Sequence, residues 1–570
     1  MPGVKSRNDD VRGAGAAKHA SRPRSAPGDA QQSVSASGRF ATLGLGLLGT
    51  LLLWMALPPV GWWPLAWVAP VPWLVLVRRR ELSGRRPYIA LWFAGCAYWL
   101  GALHWLRLPH PATSLGWLAL SGYLGCYLPV FIGLSRVTLH ELRISSIIAA
   151  PAIWAGLELA QSHLLTGINI ATPAHSQYRW ITLIQISDLA GSYGVSFLIM
   201  LVAACVARML PIDGVRRALW PVAPALALLA AVLTYGHFRM SGEYHRPGLK
   251  VALIQGSIDT EMKTDPAQVQ KIHEQYLALT DRAVREHKDL DLIIWPETMF
   301  REPLRKYTPD VHAPEGVDWT KDDLQSAIDD LALAFAHMAD RYKVPMLLGM
   351  DTLVYGAGKV ERYNSAVLVD AKGEVQDQYD KMRPVMFGEY VPFASYWPWL
   401  YRLTPLADGL DPGAAPKSLS IDGVRVAPNI CFETLLPHFI RGQVAQLQDE
   451  DVEPDLLVNL SNDGWFWGSS ELDLHLMCGV FRAVECRKPL AIAANTGFSA
   501  VIDADGQILA QGPRRETGVV VYDVPLDDRK SPYVRGGDWG AALCLVFAVV
   551  MAGVGGWRHR AHRGEKRPAA

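Results

Sequence analysis

Val424-Arg425-Val426-Ala427-Pro428-Asn429-Ile430-Cys431-Phe432-Glu433 is a short β-rich apolar run that ends at a thiol, with a carboxylate two residues further on. The same grammar occurs earlier, where Leu292-Ile293-Ile294-Trp295 is broken by Pro296 and followed by Glu297. Apolar runs of this length bounded by breakers read as buried strands. Further runs at 251–255, 345–349, 365–369, 456–460 and 490–494 extend the series. Between them lie longer polar-apolar patterns of helical period near 267–286, 322–341, 434–447 and 471–486. Strands alternating with helices predict one α/β domain over 248–527, with no repeat of solenoid period.

Outward from this domain the composition changes. The whole chain has 570 residues, of which 50% are hydrophobic and only 19% charged, below the roughly 25% charge of an ordinary soluble domain. The apolar excess is concentrated in runs at 41–57, 61–77, 88–106, 115–135, 145–161, 190–207, 218–235 and 539–556, each long enough to cross a bilayer. The expected organisation is a disordered tail over 1–39, a membrane domain of seven spans over 40–236, the α/β domain, a last span at 539–556 and a basic tail over 557–570. The first span lacks a small-residue cleavage site and is expected to be retained as an anchor. Arg78, Arg79, Arg80, Arg85 and Arg86, then Arg136 and Arg143, then Arg208, Arg216 and Arg217 fall in alternate loops, on the same side as both basic tails. Positive charge marks the cytoplasmic side, so the α/β domain is expected on the opposite, exported face.

Several classes of function are excluded. Lys+Arg and Asp+Glu are 55 each, which gives no bulk charge for nucleic acid. Seven cysteines without a CxxC pair give no disulfide framework, and Cys96, Cys126, Cys205 and Cys544 lie in apolar runs as packing residues. Gly44-Leu-Gly46-Leu-Leu-Gly49 matches GxGxxG but has no preceding strand, so it reads as small residues for helix packing. His140-Glu141 and His273-Glu274 lack the second histidine of HExxH, and neither a metal nor a cofactor is expected.

The chemistry is carried by strand ends. Glu297 and Cys431 end two strands, while Tyr379-Asp380-Lys381 and Met386-Phe387-Gly388-Glu389-Tyr390 place a lysine and a glutamate around a Pro384 loop. A thiol needs a base to become a nucleophile. A desolvated carboxylate can be that base, and a cation with the backbone N–H after the thiol can stabilise a tetrahedral oxyanion. Glu297, Lys381 and Cys431 supply these parts.

WPE, K-x7-E within an FGE segment, C-x-E, and Ser461-Asn462-Asp463-Gly464-Trp465-Phe466 together resemble the nitrilase, or carbon–nitrogen hydrolase, superfamily. With membrane spans on both sides, the chain resembles the apolipoprotein N-acyltransferases over nearly its whole length after the tail. The resemblance implies an α-β-β-α sandwich and a Glu297–Lys381–Cys431 triad supported by Glu389, Glu433 and Phe432. It puts Trp465, Phe387, Tyr390 and His475 against the substrate. It also implies a phospholipid acyl donor such as phosphatidylethanolamine, a diacylglyceryl apolipoprotein acceptor, a thioester intermediate and a multi-pass protein of the bacterial inner membrane with a periplasmic catalytic domain. A monomer is expected. The chain departs from the family where Lys263 is followed by Thr264 instead of tryptophan, and where Met386 precedes Phe387-Gly388-Glu389. A membrane-tethered amidase would share the triad, and a transporter or receptor with a binding-only domain would not need it. Trp397, Trp399 and Trp467 are expected on a rim that dips into the leaflet.

Overall fold

The computed structural model describes residues 41–213, 217–242, 245–259, 268–312, 320–403 and 409–565. The expected tail at 1–39, Arg216, Lys263, Thr264 and the last residues lie outside them.

Two sheets, one of seven strands and one of six, form the core of the α/β half. The first has the order β13-β1-β2-β4-β5-β6, with β3 also pairing β4: β1 is Lys250–Gln255, β2 Leu292–Ile294, β3 Leu304–His312, β4 Met346–Ala357, β5 Val360–Val369, β6 Val375–Asp380 and β13 Gly518–Asp523. The second has the order β12-β11-β10-β9-β8-β7, from β7 Leu419–Ile421, β8 Val424–Ile430, β9 Leu456–Ser461, β10 Leu490–Ala494, β11 Ala500–Ile502 and β12 Ile508–Gln511. The centres of both sheets are parallel, β1-β2-β4 in one and β8-β9-β10 in the other. Central parallel strands are covered on both faces, which is why they read as continuous apolar runs. Leu253, Ile294 and Leu347 of the first sheet meet Ile430, Leu460 and Ala493 of the second in one core.

Helices cover the outer faces. Val269–Glu286 (α9) and Lys321–Tyr342 (α10) pack Ile272, Tyr276, Leu331 and Phe335 on the first sheet. Pro437–Asp449 (α11) and Glu471–Cys486 (α12) pack Ile440, Val444, Leu476 and Val480 on the second. The result is the expected α-β-β-α sandwich.

Ahead of the sandwich come α1 Ala41–Ala56, α2 Val71–Arg78, α3 Pro87–Ala102, α4 Thr113–Gly125, α5 Tyr127–Arg136, α6 Ser146–His163, α7 Ser187–Met209 and α8 Val222–Met240; after it comes α13 Trp539–Glu565. Among the described residues, four helical segments are long and apolar enough to cross a membrane: Thr113–Glu141, Ser187–Met209, Val222–Met240 and Trp539–Arg558. Shorter apolar helical stretches lie at Ala41–Ala56 and Trp63–Arg78. The second expected span is not one α-helix. Pro64 starts a 3-10 turn over Trp63–Trp67 and Pro70 precedes α2, because proline fits a first turn and cannot continue one. Gly46 and Gly49 do serve packing: a Cβ on Gly49 would lie 2.4 Å from the Trp73 Nε1 and 2.7 Å from the Ala69 carbonyl. Cys96 and Cys205 are buried, whereas Cys126 lies exposed at the break between α4 and α5, so it is not the packing residue expected of it.

The two halves share a core. Leu183, Ile184 and Leu198 from the helical half join the cluster beneath α11 and α12. Leu435, Leu474 and Met477 from the sandwich join the core of the helical half. The second sheet's helices are therefore the contact layer, and the turn after β8 packs Phe432 and Leu435 on the helical half.

Candidate active site

Glu297, Lys381 and Cys431 each hang from the carboxyl end of a strand, where α/β sheets bind their ligands. Pro296 ends the β2 ladder and delivers Glu297, only 6% exposed. Gly349 of β4 passes directly beneath it; a Cβ there would sit 2.1 Å from the Pro296 carbonyl, so this crossing requires glycine. β6 delivers Lys381 and β8 delivers Cys431.

Glu297 receives three donors. Its Oε1 accepts from Asn364 Nδ2 at 2.7 Å and Lys381 Nζ at 3.2 Å, and its Oε2 accepts from the Asn462 backbone N–H at 3.0 Å. Lys381 Nζ also donates to Glu389 Oε1 at 2.7 Å, and Glu389 is held through Oε2 by the Val385 N–H at 2.7 Å. One buried ammonium thus lies between two carboxylates. Burial alone would lower the Lys381 pKa, but Glu297 and Glu389 outweigh it and hold the group well above its ordinary value.

Cys431 is half-buried and adopts φ +52°, a conformation disfavoured for a residue with a Cβ. Such strain at the strand-to-turn junction persists only where the surroundings impose it. Burial pushes the thiol well above its ordinary value, Glu297 adds to the rise, and Lys381 opposes it. The resting group is a neutral thiol in the field of a carboxylate and an ammonium.

Glu433 is not beside the sulfur in the way that its sequence position suggests. It is fully buried and accepts from the backbone N–H groups of Ile430 (2.7 Å), Met382 (2.7 Å) and Arg383 (3.0 Å), and from the Tyr379 hydroxyl (2.8 Å). It clamps the lysine-bearing segment to the nucleophile strand. Phe432 is partly buried between the two halves of the molecule.

Of the residues expected against substrate, Trp465 and Phe387 are exposed and Tyr390 is half-buried. His475 is 3% exposed and lies within the fold, its Nδ1 3.1 Å from Asp463 Oδ1. Among the described residues Asp463, Glu471 and His475 bring three potential metal ligands within 4.8 Å of one another. Burial would lower His475 but Asp463 raises it, while burial and Asp463 push Glu471 well above the usual carboxylate range, favouring its neutral form.

Asn364 escapes a reading by strand ends because it lies within β5, although a polar residue entering a buried run is itself a signal. Trp105 escapes as well: it lies in the helical half and meets Phe466 edge-on at 4.8 Å, bringing that half to the Ser461–Phe466 segment.

Comparison with known proteins agrees with this architecture. Residues 49–205 match the apolipoprotein N-acyltransferase N-terminal domain and residues 250–531 match carbon-nitrogen hydrolase. An apolipoprotein N-acyltransferase of Rhodopirellula baltica is 31% identical over 535 residues, covering 86% of this chain and 93% of that one. One from Geobacter metallireducens is 32% identical over 538 residues (91% and 96%), and one from Chlorobaculum tepidum 28% identical over 555 residues (90% and 97%). With both of its parts matched by family models and with relatives of 31% and 32% identity covering 86% and 91% of it, the chain belongs to the apolipoprotein N-acyltransferase family.

Proposed function

We propose that this enzyme N-acylates the N-terminal S-diacylglyceryl cysteine of apolipoproteins, taking the acyl chain from a phospholipid such as phosphatidylethanolamine through a thioester on Cys431. The observation that carries the residue roles is the Glu389–Lys381–Glu297 ion-pair chain beside Cys431 with its strained backbone.

In the first half-reaction Glu297 takes the Cys431 proton as sulfur attacks the ester carbonyl. The developing oxyanion meets the Lys381 ammonium and the Phe432 N–H. Collapse breaks the ester C–O bond, Glu297 returns the proton to the departing lysophospholipid, and the acyl group remains on sulfur. In the second half the acceptor amine attacks the thioester, Glu297 takes the amine proton, and the thiol is regenerated. Glu389 keeps the ammonium in place through both halves. Eight spans, with both termini cytoplasmic and the sandwich in the periplasm, would hold the site at the leaflet that carries both lipid substrates. Alternating basic loops support this orientation. The working unit is a monomer.

The test is intact mass of the detergent-purified protein before and after phosphatidylethanolamine, with a digest. A hydroxylamine-labile, acyl-sized gain on Cys431, absent in Cys431→Ala, is expected. Transfer retained by that variant would overturn the role of the thiol.

A further inference from the structure

Where α6 ends, the structure gathers two stacked imidazoles and one arginine that has no carboxylate partner among the described residues. His163, the last residue of α6, is exposed and stacks on His438 with ring centroids 4.0 Å apart and planes at 26°. His438 stands in the first turn of α11, which opens at Pro437 without a capping side chain. Its Nδ1 is buried and has no hydrogen-bond partner among the described residues. Arg383 is exposed and lays its guanidinium over the Phe439 ring at 5.5 Å, and no carboxylate lies within ion-pair distance of it among the described residues. Leu164 and Leu165, directly after His163, are 54% and 65% exposed. These features form a patch of one guanidinium and two imidazoles bordered by bare leucines at the end of an apolar helix.

The patch is fixed to the nucleophile. The Arg383 and Met382 N–H groups bind one oxygen of Glu433, whose other oxygen binds the Ile430 N–H. Ile430 precedes Cys431, and α11 follows the turn that Cys431 opens. A group held by Arg383 and His438 is therefore held in a set relation to the thiol.

We propose that Arg383, His438 and His163 form a binding site for the phosphate of the phospholipid acyl donor. Arginine offers planar paired donors that match phosphate oxygens, and stacking on a ring leaves its N–H edge free for them. The start of α11, where Pro437 has no N–H and Phe439 and Ile440 give theirs to the Leu436 carbonyl, adds the positive end of a helix dipole. Burial, His163, Arg383, Arg441 and Arg482 together push His438 down to about 3, so it meets a ligand as a neutral imidazole with one ring N–H to donate. At the end of an apolar helix, beside exposed leucines, the anion most readily presented is a lipid headgroup, not a soluble ion.

The proposal rests on the phospholipid-donor reading above, and one experiment separates the two. Initial rates of Cys431 thioester formation are compared for phosphatidylethanolamine and for diacylglycerol with the same chains, in the full-length wild type, Arg383→Gln and Arg383→Lys. The wild type is expected to prefer the phosphate-bearing donor, Arg383→Gln to lose about tenfold of that preference, and Arg383→Lys to keep most of it. A wild type that forms no thioester with either lipid defeats the donor reading itself. A wild type that forms it without preference, or an Arg383→Gln variant with the wild-type preference, overturns the phosphate site alone. Because the readout is a ratio within one protein, partial misfolding cancels. A second measurement uses the Cys431→Ala protein, which should gain thermal stability from phosphatidylethanolamine in detergent and not from inorganic phosphate. Equal stabilisation by inorganic phosphate would assign the patch to a soluble anion and overturn the lipid reading.

Discussion

Glu297→Gln separates two jobs of one carboxylate. The substitution keeps the size of the side chain and removes both the base and the negative charge that helps raise the Cys431 pKa. Acyl transfer should fall by about 10² to 10⁴, the usual weight of a general base. Alkylation of Cys431 by iodoacetamide at pH 8 should become faster, since Lys381 is then opposed by one carboxylate fewer. Slower alkylation would contradict the charge arrangement. In the wild type the raised thiol is protonated at neutral pH, so its alkylation rate should climb with pH through 9 without levelling. A plateau below pH 9 would mean a thiolate at rest. Lys381→Ala should cost about 10² or more in transfer rate, as for an oxyanion donor. Glu297 and Cys431 are legible in the sequence because each follows a strand at a recognisable break, and Lys381 because it and Glu389 flank the Pro384 loop. Asn364 is not, since it sits within a strand, and Glu433 reads as a partner of the thiol until the turn at Cys431–Leu435 aims it at Tyr379 and the Met382–Arg383 backbone.

At the scale of elements, the strands that sequence reveals are those with two covered faces. β2 and β9 are buried at every position and appear as plain apolar runs. β3 and β6 stay hidden because they are largely polar, with Leu304 and Val311 the buried residues of β3 and Tyr379 that of β6. The helical half is legible in outline from its apolar runs, and its breaks follow the prolines and the α4–α5 junction. The segment after Glu389 is the least regular part of the site. Phe393, Tyr396, Trp397 and Trp399 are each more than half exposed there, an arrangement that water does not favour and a leaflet does. Brominated phospholipids should quench the fluorescence of a variant retaining only Trp397 and Trp399. Emission unchanged by the bromines would place this loop in water.

Across the whole molecule, one buried ionic network joins the helical half to the sandwich. Asp188 of α7 is fully buried and accepts from Arg239 of α8 at 2.7 Å, from the Tyr235 hydroxyl at 2.6 Å and from Arg487, at the end of α12, at 2.8 Å. Arg487 also donates to Gln185 at 2.6 Å and Asp505 at 2.8 Å, and Arg529 reaches Asp505 at 2.8 Å. Charges removed from water in this way are costly unless each finds its partner, so breaking one pair strands the others. Asp188→Asn should therefore destabilise the protein by about 3–5 kcal/mol, seen as a lower unfolding temperature in detergent. Glu286→Gln, which breaks the exposed Arg282–Glu286 pair within one helix, should change stability by no more than about 0.5 kcal/mol. If Asp188→Asn is equally silent, the two halves are held by their shared apolar core alone, and the network only fixes their orientation. A large loss for Asp188→Asn with silence for Glu286→Gln makes the network part of what keeps the turn after β8, which Cys431 opens, packed on the helical half and near the lipid substrates it is built to meet.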